Sequence, residues 1–184
     1  MRLSGRVVLA VLAVAIVYWA VMVFGTLAQL RALAGGLDAF DLRPIGYGHA
    51  EAVQLLTALG EPGRDFYARV QLRLDMVYPA LYALSRALLL WWLTAPGRIA
   101  GRSWPVAVRA ILLVPPVMAA VFDYRENAAI AAMLASGPGL DPGVAAAASL
   151  MTQVKSMAGL LTESIAIILS VLACVGWWRR RAAA

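Results

Sequence analysis

The chain has 184 residues, of which 62% are hydrophobic and 14% charged, and its formal net charge at pH 7 is +6. With a mean hydropathy of +0.78, it is more apolar than soluble domains, which are about half apolar and a quarter charged. The basic residues gather at the ends of apolar runs, which argues against a nucleic-acid partner and favours membrane anchoring. The sequence also has one cysteine and one histidine, which excludes an internal disulfide and bis-histidine haem ligation, and no cofactor is predicted.

The first predicted element is an apolar helix over residues 7–28, preceded by Arg2 and Arg6. A spanning helix needs about 20 apolar residues, and this run supplies them. The alternative is a cleaved signal peptide, but the run exceeds the apolar region of about 7–15 residues typical of such peptides. We therefore expect a retained helix and a single membrane domain over residues 1–184.

A polar connection over residues 30–74 follows the first helix. Gly35–Gly36 and Arg43–Pro44 indicate irregular chain. Residues 49–59 then predict a short amphipathic helix, which Gly60 would end and which would lie in the membrane interface.

The second membrane segment is predicted over residues 76–95, in a helix that starts near Pro62. That helix has about 34 residues, or about 50 Å at 1.5 Å per residue. Because the hydrocarbon layer is about 30 Å thick, we expect the helix to project beyond it on the outer side.

The third and fourth membrane segments are predicted over residues 105–125 and 157–178. The third helix continues to about residue 135, where Ser136-Gly-Pro-Gly139 breaks it. Asp141–Pro142 restarts a helix, with Asp as N-cap and Pro in the first turn.

The distribution of arginine predicts the topology. The amino terminus, the Arg98/Arg102 loop and the Arg179–Arg181 tail belong on the cytoplasmic side, and residues 30–74 on the outer side. The richness in Ala, Arg and Gly fits a bacterial inner membrane. The expected fold is an all-α, antiparallel four-transmembrane-helix bundle with long helices projecting on the outer side.

Polar residues recur on one face of three of these helices. The second helix carries Asp75, Tyr78, Tyr82 and Arg86 at helical spacing. The third carries Asp123, Glu126 and Asn127, and the fourth a stripe of small and polar residues from Thr152 to Ser170. We expect these three faces to turn towards one another and to enclose a polar interior.

The acidic residues are the candidate catalytic groups: Glu163, Asp123, Glu126 and Asp75. Burial makes carboxylates suitable for acid/base chemistry near neutral pH. The alternative is structural, with the acids paired to Arg73, Arg86, Arg125 or Lys155, because charges within membranes usually pair. Glu163 is the strongest candidate, since it is the deepest and has no adjacent base in the sequence.

Arg86 is expected near the midplane of the membrane. Pro115 and Pro116 fall at a similar depth and free backbone carbonyls near Ile111 and Leu112, which could accept hydrogen bonds from the guanidinium. Glu163 is the other possible partner, and the sequence does not decide between them.

The predicted ligand-contacting residues are basic, aromatic or amide side chains near the same face: Arg86, Tyr78, Tyr82, Tyr124, Asn127, Lys155 and His49. Arginine suits an anionic group, although Arg86 also suits a structural pairing and the tyrosines suit interfacial anchoring. His49 with Glu51 is too weak a signal for a metal site, and none is predicted.

Three functions remain open from the sequence. The first is a membrane protein that binds or chemically converts a lipid-soluble molecule, through a carboxylate-lined pocket open to the outer leaflet. The second is an accessory or assembly subunit, with a membrane-protein partner or a second copy of the chain. The third is transport of a proton or small solute, although four helices without an inverted repeat lack the usual transporter pattern. Catalysis itself is not decided.

Overall fold

A computed structural model describes residues 3–99 and 101–182, and within them the chain is helical and contains no strand. Arg2, expected to precede the first helix, lies outside the described residues. Four helices are long and apolar enough to cross a membrane: α1 (Gly5–Leu33), α2 (His49–Leu93), α3 (Val106–Gly139) and α4 (Pro142–Ala182). The prediction of an all-helical protein with four long apolar helices is confirmed.

Helix α1 begins after Ser4, whose hydroxyl accepts a hydrogen bond from the Arg6 backbone N–H at 3.3 Å. Its Met22–Leu27 segment widens into a π-helix. The connection to α2 contains a short 3₁₀-helix, Phe40–Leu42. The same connection packs against α4 at Gly46, where a φ of 84° and the nearby Ser149 side chain leave no room for a Cβ.

Helix α2 has three irregular points. Gly60 adopts φ 60° and ψ −173°, so the helix bends at the residue expected to end the short 49–59 helix. A π-helical segment follows at Tyr67–Gln71, and the helix is interrupted again at residues 76–77, before Pro79. The predicted long helix from Pro62 is therefore broken near Pro79, which has no backbone N–H to donate to the carbonyl of Asp75.

Helix α3 contains a turn at Leu112–Leu113, directly before Val114 and the Pro115–Pro116 pair. It ends in the 3₁₀-helix Gly137–Gly139. The carboxylate of Asp141 then accepts hydrogen bonds from Gly143 N at 2.7 Å and Val144 N at 3.3 Å, which caps α4 as predicted.

Two buried apolar clusters lie in different parts of the molecule. The larger joins the second half of α1, the following loop, the first half of α2, the second half of α3 and the start of α4. The smaller contains Leu90, Leu93, Ile99, Ala166 and Leu169. Most buried polar side chains of the helices lie on the stretches between them: Asp75, Ser85, Asp123, Glu126, Asn127, Thr152 and Thr162.

Candidate functional site

A buried ion cluster joins α3 to α4. Lys155 Nζ lies 3.3 Å from Asp123 Oδ1 and also contacts the carboxylate of Glu126, which is completely buried. Thr152 donates a hydrogen bond of 2.5 Å from Oγ1 to Glu126 Oε1. Asp123 and Glu126 face the same ammonium because they lie one turn apart on α3. One cation thus faces two carboxylates, and the predicted Lys155 pairing is present.

A second ion pair joins α2 to α4. Arg86 Nε donates to Glu163 Oε1 at 2.7 Å, and the side chains are 15% and 39% exposed, respectively. The guanidinium also lies 5.1 Å from the centre of the Tyr82 ring. Of the two partners left open by the sequence, the structure selects Glu163; no hydrogen bond joins Arg86 to the carbonyls of Ile111 or Leu112, which are all described residues.

Two cavities border this ion pair. One has a volume of about 340 Å³ and the other about 350 Å³. Both are lined by Tyr78, Tyr82 and Glu163. The first is completed by Ala15, Ile16, Trp19 and Arg86, and the second by Ala119, Asp123, Lys155, Ser156, Gly159 and Leu160.

The walls of these cavities are amphipathic. Apolar surface comes from α1 on one side and from α3 and α4 on the other, while the charged groups converge near Tyr82. The Tyr78 and Tyr82 ring centres are 6.1 Å apart, and Tyr18 stacks on Tyr78 at 6.4 Å. Among the charged side chains of the Lys155 cluster and the Arg86 pair, Glu163 is the most exposed, so it is the acid most accessible from the cavities.

Three consecutive backbone carbonyls at the α2 interruption accept hydrogen bonds from other helices. Tyr18 Oη donates to Leu74 O at 2.8 Å, Asn127 Nδ2 to Asp75 O at 3.2 Å, and Tyr124 Oη to Met76 O at 3.1 Å. The Asp75 carbonyl is the one that Pro79 leaves without a helical donor. Asn127 and Tyr124, both predicted ligand contacts, here hold the broken backbone in place.

Asp75 itself is buried, with 4% of its surface exposed. It forms no ion pair within the described part of the chain, residues 3–99 and 101–182. It therefore differs from the other three predicted acids, each of which contacts Lys155 or Arg86.

His49 lies at the start of α2. Its Nε2 is 2.8 Å from the carbonyl oxygen of Leu140, so the imidazole ties α2 to the turn between α3 and α4. Glu51 accepts a hydrogen bond of 2.7 Å from Gly48 N and caps the helix. In the described residues, no group of three or more His, Cys, Asp or Glu side chains is arranged to hold a metal ion.

A second polar network, which the sequence did not predict, joins α2 to the loop before it. Tyr67 Oη donates to Asp41 Oδ2 at 2.8 Å and accepts from Phe40 N at 3.2 Å. The backbone N–H of Tyr47 donates to Ser149 Oγ at 2.9 Å. Burial raises the pKa of the Tyr47 phenol, so this tyrosine stays neutral at physiological pH. Asp41 and Tyr47 lie in irregular chain, where no periodic pattern indicates burial.

A polar contact between π-helical segments was also missed. Thr26 Oγ1 donates to Gln71 Oε1 at 2.5 Å, joining the wide turns of α1 and α2. Segments of π-helix frequently lie at functional sites. Gln71 could have been found, because it precedes Asp75 by four residues and shares its helix face.

No family model, curated protein or solved structure matched the chain.

Proposed function

We propose that the chain is an integral membrane protein with four antiparallel spans in a single domain and both termini in the cytoplasm. Packing of Gly5 against Trp92 and the Thr26–Gln71 hydrogen bond support opposite directions for α1 and α2. The excess of arginine near residues 98–109 and 179–181 supports the orientation. The composition favours a bacterial inner membrane, with the 49–59 segment of α2 at the outer interface.

Within that membrane, the protein binds a lipid-soluble small molecule in the cavities beside Tyr78 and Tyr82. The observation that carries this proposal is that two cavities share one wall, formed by these tyrosines and the accessible carboxylate of Glu163. Volumes of about 340 and 350 Å³ suit a small ligand, since ligand pockets measure about 300–1,000 Å³ and combine apolar walls with few polar groups.

The chemistry of the wall defines the ligand. Ile16, Trp19 and Leu160 would contact its apolar body. Arg86 and Lys155 favour a carbonyl or anionic group, and Tyr82 favours a hydrogen-bonding oxygen. The molecule would enter from the outer leaflet, and Glu163 would serve as acid or base if the bound molecule is also converted.

The smaller apolar cluster disfavours transport by a single copy of the chain. Leu90 and Leu93 of α2 pack with Ala166 and Leu169 of α4, and all four side chains are at least 95% buried. A path for protons or ions needs polar groups or water along its length. This cluster supports a pocket with one entrance rather than a continuous route.

The test is native mass spectrometry of the protein purified in nanodiscs, with extraction and identification of the retained molecules. We expect a specific hydrophobic molecule in the wild type. Gly159→Leu should displace it, because Gly159 lines one cavity and an added Cβ meets only Tyr82 Oη, at 3.9 Å. Glu163→Gln should strengthen retention, because it removes the carboxylate that competes with a carbonyl or anionic group for Arg86.

Two control variants separate a pocket effect from general damage. Gly25→Leu also enlarges a helical glycine, but its added Cβ meets nothing within 4 Å, and Glu61→Gln removes an exposed carboxylate. Both should retain the molecule at the wild-type level. A ligand-free wild type that copurifies with another membrane subunit would overturn the proposal and assign an accessory role.

A further inference from the structure

A second site lies at the opposite end of the helices from the buried acids. Its cavity measures about 540 Å³ and contains three arginines, Arg98, Arg109 and Arg180. The remaining wall is Leu3, Trp91, Trp92 and residues 95–97. No Asp or Glu lines it.

The lack of acids extends well beyond the cavity wall. The sequence contains no Asp or Glu in residues 1–37, 76–122 or 164–184, which supply this end of the molecule. None of Arg98, Arg109 and Arg180 forms an ion pair within residues 3–99 and 101–182. Within the described residues, no acidic side chain balances the positive charge gathered here.

Two of the arginines are fixed by tryptophans. Arg109 is only 9% exposed, its guanidinium lies 3.7 Å from the Trp91 ring centre, and its Nη2 donates to Trp91 O at 2.9 Å. Arg98 lies 3.8 Å from the Trp92 ring centre. Stacking on an aromatic face leaves the N–H groups at the edge of the guanidinium available to an anion.

The tryptophan beneath Arg98 offers a further donor. The indole Nε1 of Trp92 is buried and has no hydrogen-bond partner in the described residues. A buried donor without a partner destabilises the fold, because it has lost its hydrogen bonds to water. Two guanidinium groups held in place suit the oxygen atoms of a phosphate, and Trp92, which lines the same cavity, has an indole N–H without a partner within residues 3–99 and 101–182.

An adjacent cavity gives this site an apolar extension. It measures about 480 Å³ and shares Gly97 and Arg180 with the first cavity. Ile99, Leu172 and Val175 line it. The structure thus places a basic cavity beside one whose wall is apolar except for Arg179 and Arg180, at a predicted membrane interface.

We propose that this pair of cavities binds the phosphate group of an anionic lipid, with Arg98, Arg109 and Arg180 on the phosphate and the Ile99–Leu172 surface against an acyl chain. Basic pockets between transmembrane helices on the cytoplasmic side are suited to such headgroups. The site is separate from the Tyr78–Tyr82 cavities, so it holds whether or not the proposed function is correct.

The experiment is a binding titration by native mass spectrometry in a neutral detergent. The probes are phosphatidylglycerol, phosphatidylcholine and inorganic phosphate. We expect phosphatidylglycerol to bind the wild type at least tenfold more tightly than phosphatidylcholine. Arg98→Gln/Arg180→Gln should weaken the binding of phosphatidylglycerol at least fivefold.

The matched control is Arg69→Gln/Arg73→Gln, which removes two exposed arginines from the other half of α2. It should change the affinity by less than twofold. Arg180→Gln alone is a second variant with a smaller expected loss, since this side chain is exposed on the last turns of α4 and is not needed for packing.

Each outcome decides the proposal. If inorganic phosphate binds the wild type but not Arg98→Gln/Arg180→Gln, while no lipid binds tightly, that result would overturn the lipid as ligand and assign the site to a free phosphate anion. Equal losses in both double variants, or no preference for phosphatidylglycerol, would overturn the site.

Discussion

The two halves of this molecule balance their charges in different ways. In the half containing Asp123 and Glu126, acids and bases from different helices meet, and Lys155 contacts both carboxylates. At the other end, Arg98, Arg109 and Arg180 gather around a cavity without any acid. The first half pairs Asp123, Glu126 and Glu163 with bases inside the fold, whereas no acidic side chain of the described residues pairs with these three arginines.

This difference bears on the two proposed binding sites, one in each half. Internal ion pairs fix the helices, and of the two acids that line the cavities beside Tyr82, Glu163 is more exposed than Asp123. The arginine-rich end has charged groups held by aromatic rings and not by counter-ions. A ligand at the first proposed site would compete with existing ion pairs. A ligand at the second would supply the negative charge that the three arginines do not find in the described residues.

The largest expected effect comes from Lys155→Met. The substitution leaves Asp123 and the fully buried Glu126 without a cation. Removing one partner of a buried ion pair costs about 3–5 kcal/mol. Unfolding in a denaturing detergent should show a loss of this size.

A triple variant provides the control for that prediction. Lys155→Met combined with Asp123→Asn and Glu126→Gln removes the cation and both charges, so most of the stability should return. If Lys155→Met alone is as stable as the wild type, Lys155 does not compensate the charges of Asp123 and Glu126.

The next effect is expected at the interrupted turn of α2. Asn127→Leu leaves the Asp75 carbonyl without the donor that replaces the missing N–H of Pro79. An unsatisfied buried carbonyl costs about 1–3 kcal/mol. The cost should be smaller in a Pro79→Ala background, where residue 79 regains an N–H. Equal costs of Asn127→Leu in the two backgrounds would refute this role of Asn127.

A smaller effect is expected where α1 meets α2. Thr26→Val removes the hydrogen bond to Gln71 and should cost about 1 kcal/mol, as for a typical intramolecular hydrogen bond. In a Gln71→Leu background the same change should cost almost nothing. The double-mutant cycle of unfolding free energies measures the coupling, and a coupling near zero would contradict the contact.

The smallest effect is expected at the arginine-rich end. In neutral detergent, without anionic lipid, Arg180→Gln should change the unfolding free energy by less than about 0.5 kcal/mol, as for an ordinary surface substitution. A loss comparable to that of Lys155→Met would mean that Arg180 has a partner within the protein, and the contrast between the halves would fail.

Periodicity made much of the fold predictable. Apolar runs predicted the four long helices, and Asp141 predicted a cap. Gly60 predicted the end of a short helix, at the point where α2 bends. The break near Pro79 was missed, although a proline within a helix removes the donor to the carbonyl four residues earlier, here that of Asp75.

The site was only partly predictable. Helix faces indicated that Asp123, Glu126 and Lys155 would turn inwards, but they could not select Glu163 as the partner of Arg86. That choice depends on the rotation of α4 against α2. The stacking of Arg98 on Trp92 depends on the path of a loop, which sequence spacing does not specify.

The most direct test of the contrast is the thermal stability of three proteins in nanodiscs, with and without phosphatidylglycerol in phosphatidylcholine. Wild type should gain stability from the anionic lipid. Lys155→Met should start lower and gain as much, whereas Arg98→Gln/Arg180→Gln should start near wild type and gain little. An unchanged lipid response in the arginine variant, or a lost response in Lys155→Met, would contradict separate charge balance in the two halves.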